Sequence, residues 1–258
     1  MEKSYVCFNQ TQGAKQLLFF VMLPIALAGA AVTSRDAVIR APAGGSEIVI
    51  KATSRMAGAI ESLQWGGKEF INDSDHGREL QTCWNGNAGE EPEAVETFNP
   101  TEAGSLDDRL GATSSSRLLE IQARGNQLET LSQPAFWLNP SETSGGKPAR
   151  NKTILSNDRL RKRVVIGCNN LPHAIDYQVT VSLAAEDRNT RCVIEALTGY
   201  MRPEFDRFRV FDAKTGKLAP SMMDPASKRC AGLFHRRWRS FSWRRGTARK
   251  AHARAFSQ

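Results

Sequence analysis

The chain has 258 residues, 40% of them hydrophobic, and carries 35 Lys and Arg against 27 Asp and Glu, a formal charge of +8. That length buries a full core, either as one large all-β domain or as two small ones. Five cysteines without a C-x-x-C pair exclude a dense disulfide scaffold and the usual zinc spacings, and no metal or other cofactor is expected.

The first thirty residues stand apart. Lys3 and Lys15 precede the apolar run QLLFFVMLPIALAGA, which closes on Ala28-Gly29-Ala30, an A-x-A cleavage pattern. Thr33, Ser34 and Arg35 end the run short of the ~20 residues that span a bilayer. Residues 1–30 therefore read as a cleaved signal peptide, so the protein is expected to be secreted or periplasmic, with no integral membrane association after cleavage. Cys7 leaves with the signal. Of the remaining Cys83, Cys168, Cys192 and Cys230, one bridge between Cys168 and Cys192 on neighbouring strands, or buried free thiols, are the two alternatives.

From residue 47 onward, period-2 alternation and β-branched residues dominate and no 3.6-residue stripe appears. The pattern predicts strands over 47–54, 59–65, 69–71, 78–83, 118–123, 128–138, 163–166, 174–183, 192–197 and 207–211. Gly66-Gly67, Gly125-Asn126 and the run 212–217 with Gly216 mark hairpins. Strands joined by hairpins without intervening helices predict an all-β fold, an antiparallel β-sandwich over residues 31–227. Residues 85–116 and 139–152 form long polar connections, and connections of that length are usually functional or disordered. Asn151-Lys152-Thr153 is an acceptor triplet for N-glycosylation in a eukaryote and is assigned no role, because a bacterial origin is expected.

No G-x-S-x-G, Walker-type loop, G-x-G-x-x-G or H-E-x-x-H is present, so serine-elbow hydrolysis, nucleotide cradling and zincin chemistry are unsupported. What stands out instead is NDSDHGRELQ, residues 72–81. Planar polar side chains grip vicinal hydroxyls, and an aromatic face covers the apolar side of a sugar ring. His76 can donate or accept, Arg78 offers a rigid donor fork, and Gln81 does both at once. Trp84, where a strand gives way to the long connection, is the preferred platform over Trp65 and Trp137. Glu102 is the candidate acid or base, with Asp107 the second carboxylate whose separation from it would decide a glycosidase reading. Asp73 and Asp75 read as turn-makers. His173, after a Leu-Pro turn, has little claim on a ligand.

GAIESLQWGGKEFINDSDHGRELQ resembles the opening of galactose mutarotase-like proteins. DHGRELQ, FNPTEAGS and AFWLNP together resemble a group of secreted bacterial proteins associated with that superfamily, over residues 58–220. The resemblance implies a β-supersandwich and a carbohydrate partner. In mutarotases one histidine acts as acid and a late glutamate as base. His76 and Arg78 stand where the early sugar contacts are expected, and the late glutamate would fall beyond Pro220.

Residues 228–258 hold ten Lys or Arg and no acid, leaving 25 basic against 27 acidic residues in the rest. A basic arm with Trp238, Phe241 and Trp243 could bind phosphates or an anionic membrane surface, although an exported protein is not expected to meet nucleic acid. The abrupt change of composition favours a wrong-frame reading of a GC-rich gene, with the sandwich truncated at its C-terminal side. The expected function is carbohydrate binding or processing, against the alternative of a non-catalytic envelope-associated sandwich.

Overall fold

The computed structural model describes residues 36–89, 96–168, 170–184, 186, 189, 191–205, 209–212, 215–220 and 249–256. The predicted signal peptide, Cys230 and most of the basic tail lie outside the described residues.

The fold is all-β, as the alternation predicts, and every strand pairing is antiparallel. A first sheet runs in chain order through β1 (Ala37–Ala43), β2 (Ser46–Ala52), β3 (Ile60–Trp65) and β4 (Lys68–Glu69). A second contains β7 (Arg117–Arg124), β8 (Gln127–Gln133), β12 (Arg159–Cys168), β13 (Leu171–Ser182) and β17 (Arg249–Phe256), in the order β17-β13-β12-β8-β7. A third joins β5 (Gln81–Gly86), β6 (Pro100–Thr101), β9 (Ala135–Phe136) and β14 (Cys192–Thr198), in the order β14-β5-β6-β9. Two hairpins complete it, β10 (Thr143–Ser144) with β11 (Lys147–Pro148), and β15 (Arg209–Asp212) with β16 (Lys217–Pro220). Among the described residues no helix is long and apolar enough to cross a membrane.

Alternation decides which face is inward. In β2, Ile48, Ile50 and Ala52 are buried, and in β13, Ile175, Tyr177, Val179 and Val181 are buried. These side chains share one core with Ile39, Leu160, Val164, Ile166, Leu197 and the indole of Trp84, so the first two sheets close face to face as a sandwich. The β1–β2 hairpin turns on Gly44 and Gly45, at φ 55° and 78°. Gly44 also lies under His173, whose Nε2 would stand 2.3 Å from a Cβ there.

Four expectations are revised or decided. The strand predicted over 128–138 breaks at Pro134, which has no N–H to give a ladder, and its halves β8 and β9 enter different sheets. The strand predicted from residue 78 starts at Gln81, because Asp75 caps a bend: its Oδ1 accepts the Gly77 amide at 2.9 Å and its carbonyl accepts the Arg78 amide at 3.1 Å. Cys168 and Cys192 belong to different sheets and no disulfide joins them, and the Cys83 and Cys192 thiols are free. Burial pushes the Cys83 and Cys192 thiols above their usual range. Residues 249–256 of the basic tail, expected to be a wrong-frame reading, form β17 against β13.

Candidate functional site

The polar segment is tied into the sandwich at both ends. Ile71 bridges Met201, and Leu80 bridges Ile60 through a reciprocal pair of backbone hydrogen bonds at 3.1 Å. Between these ties the side chains sort into a buried set and an exposed set.

Four of the predicted site residues are buried. His76 is 0% exposed, with Nδ1 2.8 Å from the Ala103 carbonyl oxygen and Nε2 3.0 Å from that of Gly111. A neutral ring donates to one of these and an imidazolium to both, and in neither form is a nitrogen left for a ligand. Gln81 accepts from the Ala103 amide at 2.9 Å and donates to the His76 carbonyl at 3.4 Å. Trp84 is core rather than platform, its Nε1–H donating to Asp158 at 3.0 Å. These three residues are buried, and their polar atoms face partners within the loop and the core rather than the surface.

Glu102 is likewise sealed in. Its Oε1 accepts from the Lys162 ammonium at 2.5 Å and its Oε2 from the Thr82 amide at 3.1 Å, with both charged side chains fully buried. Lys162 also donates to the Gly58 carbonyl at 2.6 Å and faces the Tyr177 ring at 6.0 Å. Burial holds the Lys162 ammonium below its usual range, against the opposing pull of Glu102. Burial also raises the Tyr177 phenol, whose oxygen lies 3.0 Å from the Thr82 hydroxyl. The pair joins β12 to the loop after β6.

The exposed set gathers around Arg78. Its Nε donates to Asp75 Oδ2 at 2.8 Å, and its guanidinium carbon stands 5.2 Å from the centre of the Tyr200 ring. The hydrogen bond to Asp75 raises the Arg78 guanidinium further, so it is charged at any working pH. Gly77 beside it is an enforced glycine, since a Cβ there would meet the Trp137 indole at 2.7 Å. The half-buried Trp137 is therefore drawn over the bend. Its carbonyl accepts the Leu106 amide at 2.9 Å, and the next residue, exposed Asp107, accepts from Asn139 Nδ2 and makes no hydrogen bond or ion pair with Arg78. Arg78 and Asp107 are thus the predicted residues that remain at the surface. Asp75, Trp137, Asn139 and Tyr200 were not predicted in this role. AFWLNP carries two of them, whereas Tyr200 reaches Arg78 only through the fold.

One buried residue has no place in this scheme. Glu79 is 0% exposed, and neither of its carboxyl oxygens finds a hydrogen-bond partner. Burial pushes its carboxyl up to about 8, helped by the charge of Asp75 and opposed by the nearby amides of Glu79 and Arg78 and by the Arg55 guanidinium.

Asn151 is also buried, and its Nδ2 donates to the carbonyls of Leu138 at 2.9 Å and Thr153 at 3.0 Å. Among the described residues no group of three or more His, Cys, Asp and Glu side chains is placed to hold a metal ion. Comparison of the chain with protein-family models and with curated proteins finds no match.

Proposed function

We propose that the protein is an exported carbohydrate-binding β-sandwich, and that the surface around Arg78 receives the sugar. The observation that carries this reading is the fixed, half-exposed guanidinium between Asp75 and Tyr200 with the Trp137 indole drawn over Gly77. A guanidinium fork and a carboxylate grip adjacent hydroxyls, and an aromatic face accepts the apolar side of a ring. The resemblance of residues 58–220 to mutarotase-like supersandwich proteins supports the same ligand class.

Binding is favoured over turnover by one specific observation. His76 and Glu102, the residues expected to move protons, are both fully buried with their polar atoms engaged. The fold is then a scaffold for recognition.

Calorimetric titration of the full chain against a panel of neutral and acidic mono- and oligosaccharides tests the proposal. Arg78→Ala and Trp137→Ala should each weaken binding by about tenfold or more, the loss of one charge-assisted hydrogen bond or one ring contact. Wild-type chain that binds no member of the panel, or affinity unchanged in both variants, would reject it.

A further inference from the structure

We propose that Glu79 is a proton-operated latch beneath the Arg78 surface, closed while its carboxyl is uncharged and released when it ionises. The basis is geometric. Glu79 is completely buried in the middle of the bend, and its two oxygens accept no hydrogen bond. A carboxylate in that position has only the misaligned amides of Glu79 and Arg78 nearby, too little to make a buried charge tolerable, whereas the protonated acid is close to an ordinary buried polar group.

The charged groups around it do not supply the missing compensation. Asp75 and Arg78 share its segment, and they are paired with each other at 2.8 Å. Arg55, from the turn before β3, is committed to Glu61 at 2.8 Å and to the Gly111 carbonyl at 3.0 Å. The ring nitrogens of His76 on the same bend face two carbonyls, and Tyr200 beyond β14 packs on Arg78. Of these, Asp75 repels a charge on Glu79 and Arg55 attracts it.

The backbone makes the latch consequential. The Leu80 amide bonds to Ile60 at 3.1 Å, the Tyr200 amide bonds to the Arg78 carbonyl at 3.2 Å, and the Glu79 carbonyl stands 3.2 Å from where a Cβ on Gly199 would lie. An ionised Glu79 driven toward solvent pulls on the same short stretch of backbone that ties Arg78 to Tyr200. The effect on a ligand rests on the carbohydrate reading, but the latch itself does not and is tested without ligand.

The sign follows from linkage. Below the ordinary carboxyl value of 4.5 the folded and unfolded states both hold the proton; between there and about 8 only the folded state does. Folding therefore takes up a proton in that window, and stability falls as pH rises, levelling above about 8.

Urea unfolding of the full chain and of Glu79→Gln, from about pH 5 to about pH 9, reads this directly. The wild-type folding constant should lose about tenfold per pH unit relative to the variant across the window. Parallel pH profiles of the two proteins would overturn the latch. Carbon-13 carboxyl spectra of the wild type provide a reading that needs no variant. One glutamate resonance should titrate near pH 8, and its absence would overturn the proposal even if Glu79→Gln failed to fold.

Discussion

Lys162 and Glu102 show how a single residue's surroundings decide what it does. Both charges are fully buried, and each has one further partner, the Thr82 amide for Glu102 and the Gly58 carbonyl for Lys162, so each charge is compensated only while the other is present. Lys162→Met leaves the Glu102 carboxylate without its cation and should cost about 3–5 kcal/mol in denaturant unfolding. The double variant Lys162→Met with Glu102→Leu should recover much of that loss, because it removes both desolvated charges. A double variant as unstable as the single one would mean that the pair contributes through packing instead. The same scale explains why Glu102 looked like an acid or base. In FNPTEAGS it stands among turn residues, with nothing local to signal that β12 will place an ammonium 2.5 Å away.

At the scale of elements, strands of the sandwich were readable wherever large β-branched residues alternate, as in SEIVIKA of β2. β1 was missed because AVIRAPA alternates mainly through alanine and contains Pro42, so its period is weak although Ala37, Ile39 and Ala43 are buried. β17 was missed for a similar reason. KAHARA alternates alanine with basic residues, and its register sets Ala251, Ala253 and Ala255 opposite Val179, Tyr177 and Ile175 of the buried face of β13. The candidate site was legible to the extent that one residue's neighbours in sequence are also its neighbours in space. Asp75, Gly77 and Arg78 satisfy that, whereas Trp137 and Tyr200 arrive from the segments just after β9 and β14. The β1–β2 hairpin offers a controlled test of turn chemistry. Both of its glycines have positive φ, but only Gly44 is covered by a side chain. Gly45→Ala should cost about 1–2 kcal/mol from the backbone alone, and Gly44→Ala measurably more, because His173 must also leave its edge-on contact with Trp65. Equal losses in thermal unfolding would show that His173 moves freely.

For the whole molecule, the important edge is the one that β17 closes. β13 is twelve residues long and pairs with β12 on one side and β17 on the other. Deleting 249–256 exposes the far side of β13 as a long row of unpaired N–H and C=O groups, a template for association. Light scattering after size exclusion should then show self-association that the full chain lacks. A monomeric truncation with unchanged stability would mean that this strand contributes little to the fold.

The occupied amide of Asn151 has a consequence for producing the protein in a eukaryotic secretory host. Its Nδ2 is already bonded to Leu138 and Thr153 in the closed sandwich, so the glycan-transferring enzyme can meet this triplet only before the domain closes. The fraction of chains bearing a sugar at Asn151 is therefore a clock that compares the rate of modification with the rate of closure. Once attached, the sugar would keep that part of the fold open.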